Sequence, residues 1–172
     1  IEVEIKRSME QARKAIEAFA QGVLDHPANR EILDRFAIQN DTERLAKQLW
    51  RESLIMVYRL LFILRGESGG RETPPFPFGS TSLWRNTYSP SHAQPGNLAW
   101  VAQKVREEGM ASGQFLEAGL RALFQAFEHG LDSTELHLAP LGGALFGEKV
   151  TPLLDELQWG EHGCAELLDN LL

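Results

Sequence analysis

Apolar side chains recur every three or four residues in the first part of the chain. They are Ile5, Met9, Ala12, Ile16, Phe19 and Val23. Charged and other polar side chains occupy most of the positions between them, so the segment carries one apolar stripe. This pattern predicts an amphipathic helix over residues 2–25, which ends at His26-Pro27. A shorter helix is predicted over residues 31–38.

The next predicted helix begins at a capping signal. Asn40-Asp41-Thr42-Glu43 places a side-chain oxygen three residues before a carboxylate, which is the spacing of a capping box. The helix is predicted over residues 41–66. Residues 54–64 form an apolar run of 11 residues, whereas a membrane span needs about 20. We therefore predict a central buried helix and no membrane partner.

Glycine and proline interrupt every regular pattern between residues 66 and 96. They predict a long loop over residues 67–96 within the domain. Loops of this length in compact domains are often functional. The loop is expected to pack on the helices through its larger apolar side chains, which are Phe76, Phe78, Leu83, Trp84 and Tyr88.

Helical periodicity returns after residue 97. Two further apolar stripes predict helices, one of Leu98, Val101, Ala102 and Val105 and one of Leu116, Leu120, Leu123 and Phe127. Gly142-Gly143 predicts a turn, and Thr151 followed by Pro152 predicts a helix start. Residues 161–172 form a last short helix. The predicted fold class is therefore all-α, an irregular helical bundle around helix 41–66, in a single domain over residues 1–172.

The charge balance and the single cysteine narrow the function. The net charge is −7, so the chain has no overall basic surface for a phosphate backbone, and contact with DNA would need a local basic patch or another domain. Cys164 is the only cysteine, which excludes an internal disulfide and a cysteine-rich zinc site. A lone thiol fits a reducing compartment, and we expect the protein to be cytoplasmic.

The two ends of the sequence indicate a fragment. The chain opens at Ile1, with neither an initiator methionine nor a signal peptide, directly in charged helical sequence. It closes at Leu171-Leu172, without the polar tail that is common at natural termini. We expect both ends to be cuts in a longer protein.

Three short motifs are similar to catalytic signatures but lack a required part. Thr73-Pro74-Pro75-Phe76 resembles the Pro-Pro-aromatic loop of amino-methyltransferases, but threonine offers neither an amide nor a carboxylate, so a proline turn is predicted. Gly142 to Lys149 has the glycine spacing of a phosphate loop with Glu148 in place of the lysine. A turn with positive φ and close packing is predicted there. Glu4-Ile5-Lys6 lacks the upstream carboxylate of a nuclease site.

The histidines mark no site either. No two of His26, His92, His129, His137 and His162 lie four residues apart, the spacing that places two metal ligands on one helix face. Each is predicted to be a cap, a turn residue or a core filler, and no pattern marks a Ser/His/Asp site. We predict no catalytic, cofactor-binding or metal-binding residue in this chain.

Arg59 lies inside the apolar run of helix 41–66, where an unpaired charge would be costly. It is therefore predicted to be paired, with Glu67, Glu52 or an acid on a neighbouring helix such as Asp155. The structural interpretation is a buried ion pair that fixes the helix register. The functional alternative is a contact across a domain interface or to a nucleic-acid phosphate.

Two stretches, residues 54–68 (LIMVYRLLFILRGES) and residues 139–157 (APLGGALFGEKVTPLLDEL), cover about a fifth of the chain. They resemble segments of large adenine-specific DNA methyltransferases. These belong to restriction–modification systems with fused nuclease and methylase, and to related phage-defence systems. In that family a helical region before the methylase carries an Arg-Leu-Leu-Phe helix, often followed by Glu. A Gly-Gly-x-Leu-Phe turn and a Pro-Leu-Leu-Asp helix start come next. By this resemblance Gly142, Gly143, Pro152 and Asp155 are expected to be structural.

The resemblance implies a non-catalytic helical connector before the methylase, or between nuclease and methylase. The parent protein would transfer a methyl group from S-adenosylmethionine to adenine N6. Its cofactor loop and Asn-Pro-Pro-Tyr loop would lie beyond Leu172, so no cofactor is expected in this fragment. The expected partners are the methylase domain of the same chain and DNA. Arg65, Arg71 and Arg85 lie in or beside the loop and are the predicted DNA contacts.

Two other functions stay open. One is a protein-interaction module unrelated to DNA, which would use Phe76, Phe78, Trp84 and Tyr88 as an exposed docking surface. The other is a small helical enzyme whose site carries no recognisable motif.

Overall fold

The predicted apolar stripes are helices in the computed structural model, which describes residues 1–109 and 113–172. The helices are α1 (Glu2–Asp25), α2 (Arg30–Asn40), α3 (Thr42–Ser68), α4 (Leu98–Glu108), α5 (Phe115–His129), α6 (Gly143–Phe146), α7 (Pro152–Glu156) and α8 (Glu161–Leu171). A 3₁₀ turn (Pro27–Asn29) and a π-helical turn (Trp84–Tyr88) complete the helical structure of these residues. The all-α prediction is confirmed.

Residues 131–138, which carry no clear helical pattern, form a small hairpin. β1 (Leu131–Asp132) pairs antiparallel with β2 (His137–Leu138). Ser133 closes the turn, because its backbone N–H donates to the Leu136 carbonyl oxygen at 3.0 Å. The hairpin buries the side chain of Leu136 completely. Strands this short depend on such packing against the rest of the domain.

α1 packs chiefly against α8, and the first and last helices form the most extensive helix pair of the described residues. Ile16, Phe19 and Val23 supply the buried side of α1. Gly163 on α8 permits a close approach, since a Cβ atom there would lie 3.2 Å from the Cα atom of Phe19. The pair therefore depends on a position without a side chain.

The apolar stripe of α1 is buried only in its second half. Ile5 and Met9 are 54% and 68% exposed, whereas Ile16 is 4% exposed. The amphipathic helix is confirmed, and its first half is left uncovered by the described residues.

α3 begins with a different cap from the one that its capping signal indicates. Asp41 is the cap rather than Asn40, and its Oδ1 accepts a hydrogen bond from the Arg44 backbone N–H at 2.8 Å. Glu43 pairs with Lys47 at 3.2 Å instead of reaching back to the cap. The predicted capping box is wrong, because the cap lies one residue later. Both Asn40 and Asp41 have side chains that can cap a helix, and Asp41 is the one that does so.

α3 is buried along one side of its apolar run and exposed along the other. Met56, Leu60 and Ile63 are fully buried. On the opposite side Tyr58 and Leu61 are 51% and 43% exposed. The helix contacts α1, α2, α7 and α8, so it is the central helix of the bundle. The buried central helix is therefore confirmed, with one side of its apolar run left exposed by the described residues.

The loop predicted over residues 67–96 is more structured than its composition indicates. α3 continues to Ser68, and Trp84–Tyr88 is a helical turn. Phe76 stacks on Phe78 with ring centroids 4.9 Å apart, and Trp84 is 1% exposed. The loop packs through its aromatic side chains, as expected. The exposed docking surface of Phe76, Phe78, Trp84 and Tyr88 is therefore wrong, because large aromatic side chains gain most by joining the core.

Candidate functional site

Arg59 is buried in the middle of α3, as predicted, and is 7% exposed. Its Nε donates a hydrogen bond to the Leu145 carbonyl oxygen at 2.8 Å. Its guanidinium carbon lies 5.3 Å from the ring centroid of Phe124 and 5.6 Å from that of Phe146. These contacts hold the guanidinium between a carbonyl group and two aromatic rings.

The predicted contact ion pair of Arg59 is wrong for the described residues. Glu67 is turned towards the loop, and neither Glu52 nor Asp155 forms a contact ion pair with the guanidinium. Burial lowers the pKa of Arg59 from its ordinary value, whereas the charges of Asp155, Glu128 and Glu52 raise it. The direct contacts of the guanidinium from α6 are the Leu145 carbonyl oxygen and the Phe146 ring. The carboxylates that offset its charge therefore act without touching it.

A small cavity opens beside Arg59, and we call it the Arg59 cavity. Its volume is about 230 Å³. Arg59, Phe124 and Trp159 are its buried lining residues, with exposures of 7%, 4% and 2%. Asp155 at the rim is exposed, and Glu128 is half-buried. The guanidinium of Arg59 and the carboxylates of Asp155 and Glu128 therefore face the same space, and Glu128 Oε2 also lies 3.8 Å from Nε2 of His129, another lining residue.

Arg121 also lines the Arg59 cavity, but the protein uses its donors. Its guanidinium carbon lies 4.0 Å from the ring centroid of Trp159. Its Nη2 donates to the carbonyl oxygen of Leu157 at 2.5 Å, and its Nε contacts a carboxylate oxygen of Glu117 at 3.4 Å. Arg121 is therefore held by the protein through Nε and Nη2, whereas neither terminal nitrogen of Arg59 has an acceptor among the described residues.

The Gly142-Gly143 turn positions the contacts of Arg59. Gly143 has φ +77° and begins α6, which presents the Leu145 carbonyl and the Phe146 ring to the guanidinium. The predicted positive φ is confirmed at Gly143, whereas φ of Gly142 is −118°. The predicted close packing is present at Gly147, where a Cβ atom would collide with the Gly143 carbonyl oxygen, but not at Gly142 or Gly143, where a Cβ atom would meet nothing within 4 Å.

Pro152 is the first residue of α7, as predicted, but a carboxylate on α3 caps the helix. The side chain of Thr151 does not cap α7 and instead donates to Asp155 Oδ1 at 3.0 Å. The backbone N–H of Leu154 donates to the buried carboxylate of Glu52 at 2.9 Å. Burial raises the pKa of Glu52. This long-range cap fixes α7 and, with it, Asp155 at the cavity rim.

Two further carboxylates join the starts of α5 and α8. Glu161 on α8 accepts a hydrogen bond from the Leu116 backbone N–H at 2.7 Å. Glu117 on α5 accepts one from the Trp159 backbone N–H, just before α8. Burial, together with the negative charge of Glu117, raises the pKa of Glu161. These carboxylates satisfy helix starts, so their role is structural.

The three predicted DNA contacts are exposed arginines near the C-terminal end of α3. Arg65 is in the last turn of α3, and its guanidinium lies against Gly70, next to Arg71 in the chain. Arg85 belongs to the helical turn Trp84–Tyr88. Arg65 and Arg71 therefore lie on adjoining backbone, while Arg85 lies on a separate turn of the same loop.

A cluster of four side chains, which we call the Glu67 clasp, ties this loop to α3. It consists of Glu67, Trp84, Ser89 and His92. Glu67 Oε2 accepts hydrogen bonds from Trp84 Nε1 at 3.1 Å and from Ser89 Oγ at 2.5 Å. Ser89 Oγ also lies 2.7 Å from His92 Nδ1. The clasp holds the turn that carries Arg85 on the end of α3.

The Glu67 clasp contains the residue types of a Ser/His/acid site, but its geometry is structural. Ser89 is 1% exposed, and its Oγ accepts hydrogen bonds from the backbone N–H groups of Ser91 and His92 at 3.3 Å each. A serine nucleophile needs access to substrate and a histidine that takes its proton. Here the Ser89 hydroxyl donates its hydrogen bond to the Glu67 carboxylate instead. Sequence reasoning missed the cluster, because its members follow no catalytic spacing.

The turn predicted at Thr73-Pro74-Pro75-Phe76 is not formed there: Thr73 ends a bend, residues 74–76 form no turn, and a turn follows at residues 77–80. The Thr73 carbonyl accepts a hydrogen bond from the Gly70 N–H, and the Phe76 N–H donates to the Gly66 carbonyl, both at 2.7 Å. The Phe76 ring occupies the space that a Cβ atom at Gly66 would need. The aromatic ring of this motif is therefore used in packing and does not present a free face for a base.

The histidines fill local roles. His26 caps the 3₁₀ turn, since its Nδ1 accepts a hydrogen bond from the Ala28 N–H at 3.2 Å. His137 lies 2.5 Å from Asp132 across the hairpin. Within residues 1–109 and 113–172, no group of three His, Cys, Asp or Glu side chains is placed to hold a metal ion. In the same described parts, no helix combines the length and the hydropathy of a membrane span.

The chain was also compared with known proteins. It matches no protein-family model, no curated protein and no solved structure. The resemblance of residues 54–68 and 139–157 to DNA methyltransferases stays a prediction, and the function has to be argued from the site itself.

Proposed function

We propose that this chain is a non-catalytic helical connector of a DNA methyltransferase that acts on adenine N6. It would pack on the methylase domain and contact DNA phosphates through Arg65, Arg71 and Arg85. The methyl donor of the parent would be S-adenosylmethionine, and the protein would work in the cytoplasm. This proposal joins the family resemblance to the charge and exposure of the described surface.

The observation that carries the proposal is a segment of an acidic chain whose exposed charges are mostly arginines. Residues 65–100 contain three arginines and two glutamates, while the whole chain has a net charge of −7. All three arginines are exposed. Glu67, one of the two glutamates, is turned inward, and its side chain is 7% exposed. The exposed side chains of this segment therefore carry a more positive net charge than all of its side chains together, and phosphate binding requires exposed positive charge.

The exposed side of α3 supports the packing part of the proposal. Trp50, Tyr58 and Leu61 are 41%, 51% and 43% exposed. Their spacing places them on one face of the helix, and Arg65 follows Leu61 by about one helical turn on that face. An apolar face that ends in an arginine suits a domain interface beside a DNA path.

The DNA part is tested by charge reversal. Binding of a duplex oligonucleotide is followed by fluorescence anisotropy across a salt series, with the triple variant R65E/R71E/R85E. The matched control is R7E/R30E/R35E, which changes the net charge equally at exposed positions on α1 and α2. We expect the loop variant to bind more weakly and to flatten the salt dependence by about 0.9 logarithmic units for each phosphate that it no longer neutralises. Equal effects of the two variants would contradict the proposal.

The connector part is tested by the parent gene. A strand, a glycine-rich loop and Asn-Pro-Pro-Tyr encoded downstream of residue 172 are expected. A stop codon directly after Leu172 would refute it.

A further inference from the structure

We propose that the Arg59 cavity binds a small zwitterion of the α-amino-acid class, with the ligand carboxylate on Arg59 and the ligand ammonium at Asp155 and Glu128. This site is separate from the arginines proposed to contact DNA. Arg59 lies buried inside the cavity, whereas the two carboxylates lie at its rim. The terminal nitrogens of Arg59 have no acceptor among the described residues.

The interior of the cavity calls for an anionic group. Arg59 is 7% exposed, and its Nε donates to the Leu145 carbonyl oxygen at 2.8 Å. No described residue accepts a hydrogen bond from its two terminal nitrogens. A guanidinium presents those nitrogens as a fork that matches a carboxylate. A ligand carboxylate would therefore accept hydrogen bonds from the two terminal nitrogens of Arg59.

The rim of the cavity calls for a cationic group. Asp155 is exposed and Glu128 is half-buried, and both lie close enough to act on the charge of Arg59. Asp155 Oδ1 accepts a hydrogen bond from Thr151, and no described residue donates to its Oδ2. A simple anion entering the cavity would be repelled by these carboxylates, whereas an ammonium group would be attracted. Together the interior and the rim match a ligand that carries both charges.

The volume of the cavity limits the ligand to a few heavy atoms. About 230 Å³ corresponds to roughly eight water molecules at about 30 Å³ each. This volume is below the range of about 300–1,000 Å³ that is usual for sites of drug-sized ligands. Glycine and alanine fit this limit, and a nucleotide does not.

The inference is tested by calorimetric titration of the whole chain with glycine, L-alanine, acetate and methylammonium. We expect saturable binding of glycine or alanine, with acetate and methylammonium at least about tenfold weaker, since each lacks one charge-assisted contact. Acetate that binds as tightly as glycine, or no binding by any of the four, would overturn the proposal.

Rim variants give a second test that does not disturb the core. The double variant D155N/E128Q removes both rim carboxylates, and E156Q removes one exposed carboxylate of α7 outside the Arg59 cavity. We expect the double variant to weaken glycine binding about tenfold and to strengthen acetate binding. E156Q should leave both affinities unchanged. Unaltered glycine affinity in the double variant, or an equal loss in E156Q, would contradict the assigned polarity of the site.

Discussion

The carboxylate of Glu52 accepts a hydrogen bond from the backbone N–H of Leu154 at 2.9 Å, across 102 residues of sequence. Glu52 is fully buried, and Gln48 Nε2 donates to its other oxygen at 2.5 Å. A side chain on the central helix of the bundle therefore completes the first turn of a distant helix. Stability at this junction should depend on pH.

Glu52→Gln is predicted to change the pH dependence of stability. Burial raises the pKa of Glu52 above its ordinary value of 4.5, so the native state binds this proton more tightly than the unfolded chain. Between pH 4.5 and the raised pKa, the free energy of unfolding contributed by Glu52 falls as the pH rises. The variant lacks this loss, so its stability relative to wild type should increase as the pH rises above 4.5.

Urea denaturation across that pH range measures the difference in free energy of unfolding. Glu156→Gln, at an exposed position of α7, is the control for removing one carboxylate. If the two variants differ from wild type in the same way at every pH, Glu52 does not titrate as its burial requires.

Ser89→Ala should loosen the Glu67 clasp. The change removes the donor that lies 2.5 Å from the buried Glu67 carboxylate. We expect the free energy of unfolding to fall by about 1–3 kcal/mol, the usual effect of leaving a buried acceptor short of a partner. Ser80→Ala, at an exposed position of the same loop, should stay within about 0.5 kcal/mol of wild type. Equal stability of the two variants would show that the clasp contributes nothing.

Gly163→Leu should separate α1 from α8. The Cβ atom would lie 3.2 Å from Phe19 Cα, and the larger side chain has no space. Leucine has a higher helix propensity than glycine, so the propensity change alone would raise the free energy of unfolding. We expect this free energy instead to fall by about 1–3 kcal/mol in thermal or urea unfolding, and such a fall can be assigned to overpacking. Gly142→Ala is the control, because nothing lies within 4 Å of its Cβ position. A stabilised Gly163→Leu variant would refute the close contact.

Cys164 should resist thiol reagents in the native protein. Its side chain is fully buried, and burial, with the negative charges of Glu117 and Glu161, raises the pKa of the thiol well above its ordinary value of 9.0. Labelling with iodoacetamide should be about a thousandfold or more slower than in urea-unfolded chain, since reaction must wait for opening. Rapid labelling under native conditions would contradict the burial of α8.

Local periodicity was enough to predict most helices. The stripes of α1 and α5 are recognisable within a few turns, because each apolar position depends only on its neighbours three and four residues away. The hairpin over residues 131–138 carries no such signal. Its strands are two residues each, and packing of Leu136 in the core stabilises them.

The site was predictable only in part, because its partners are distant in sequence. Arg59 stands out as a charge in an apolar run, and its burial is correctly predicted. Its contact with Leu145, separated by 86 residues, is not readable from the pattern. The sequence offers carboxylates as candidate partners, whereas the fold supplies a carbonyl oxygen and two aromatic rings.

The pairing of α1 with α8 sets an order for folding during synthesis. Chains emerge from the ribosome with the N-terminal part first, so the apolar face of α1 has no main partner until the last helix has been made. The contacts of Glu52 and Arg59 also wait for residues 145–154. Contacts between residues so far apart in sequence slow folding relative to bundles with neighbouring helix pairs. Nascent chains that lack α8 should therefore be bound by chaperones and cleaved by proteases, and completion of α8 should end that vulnerability.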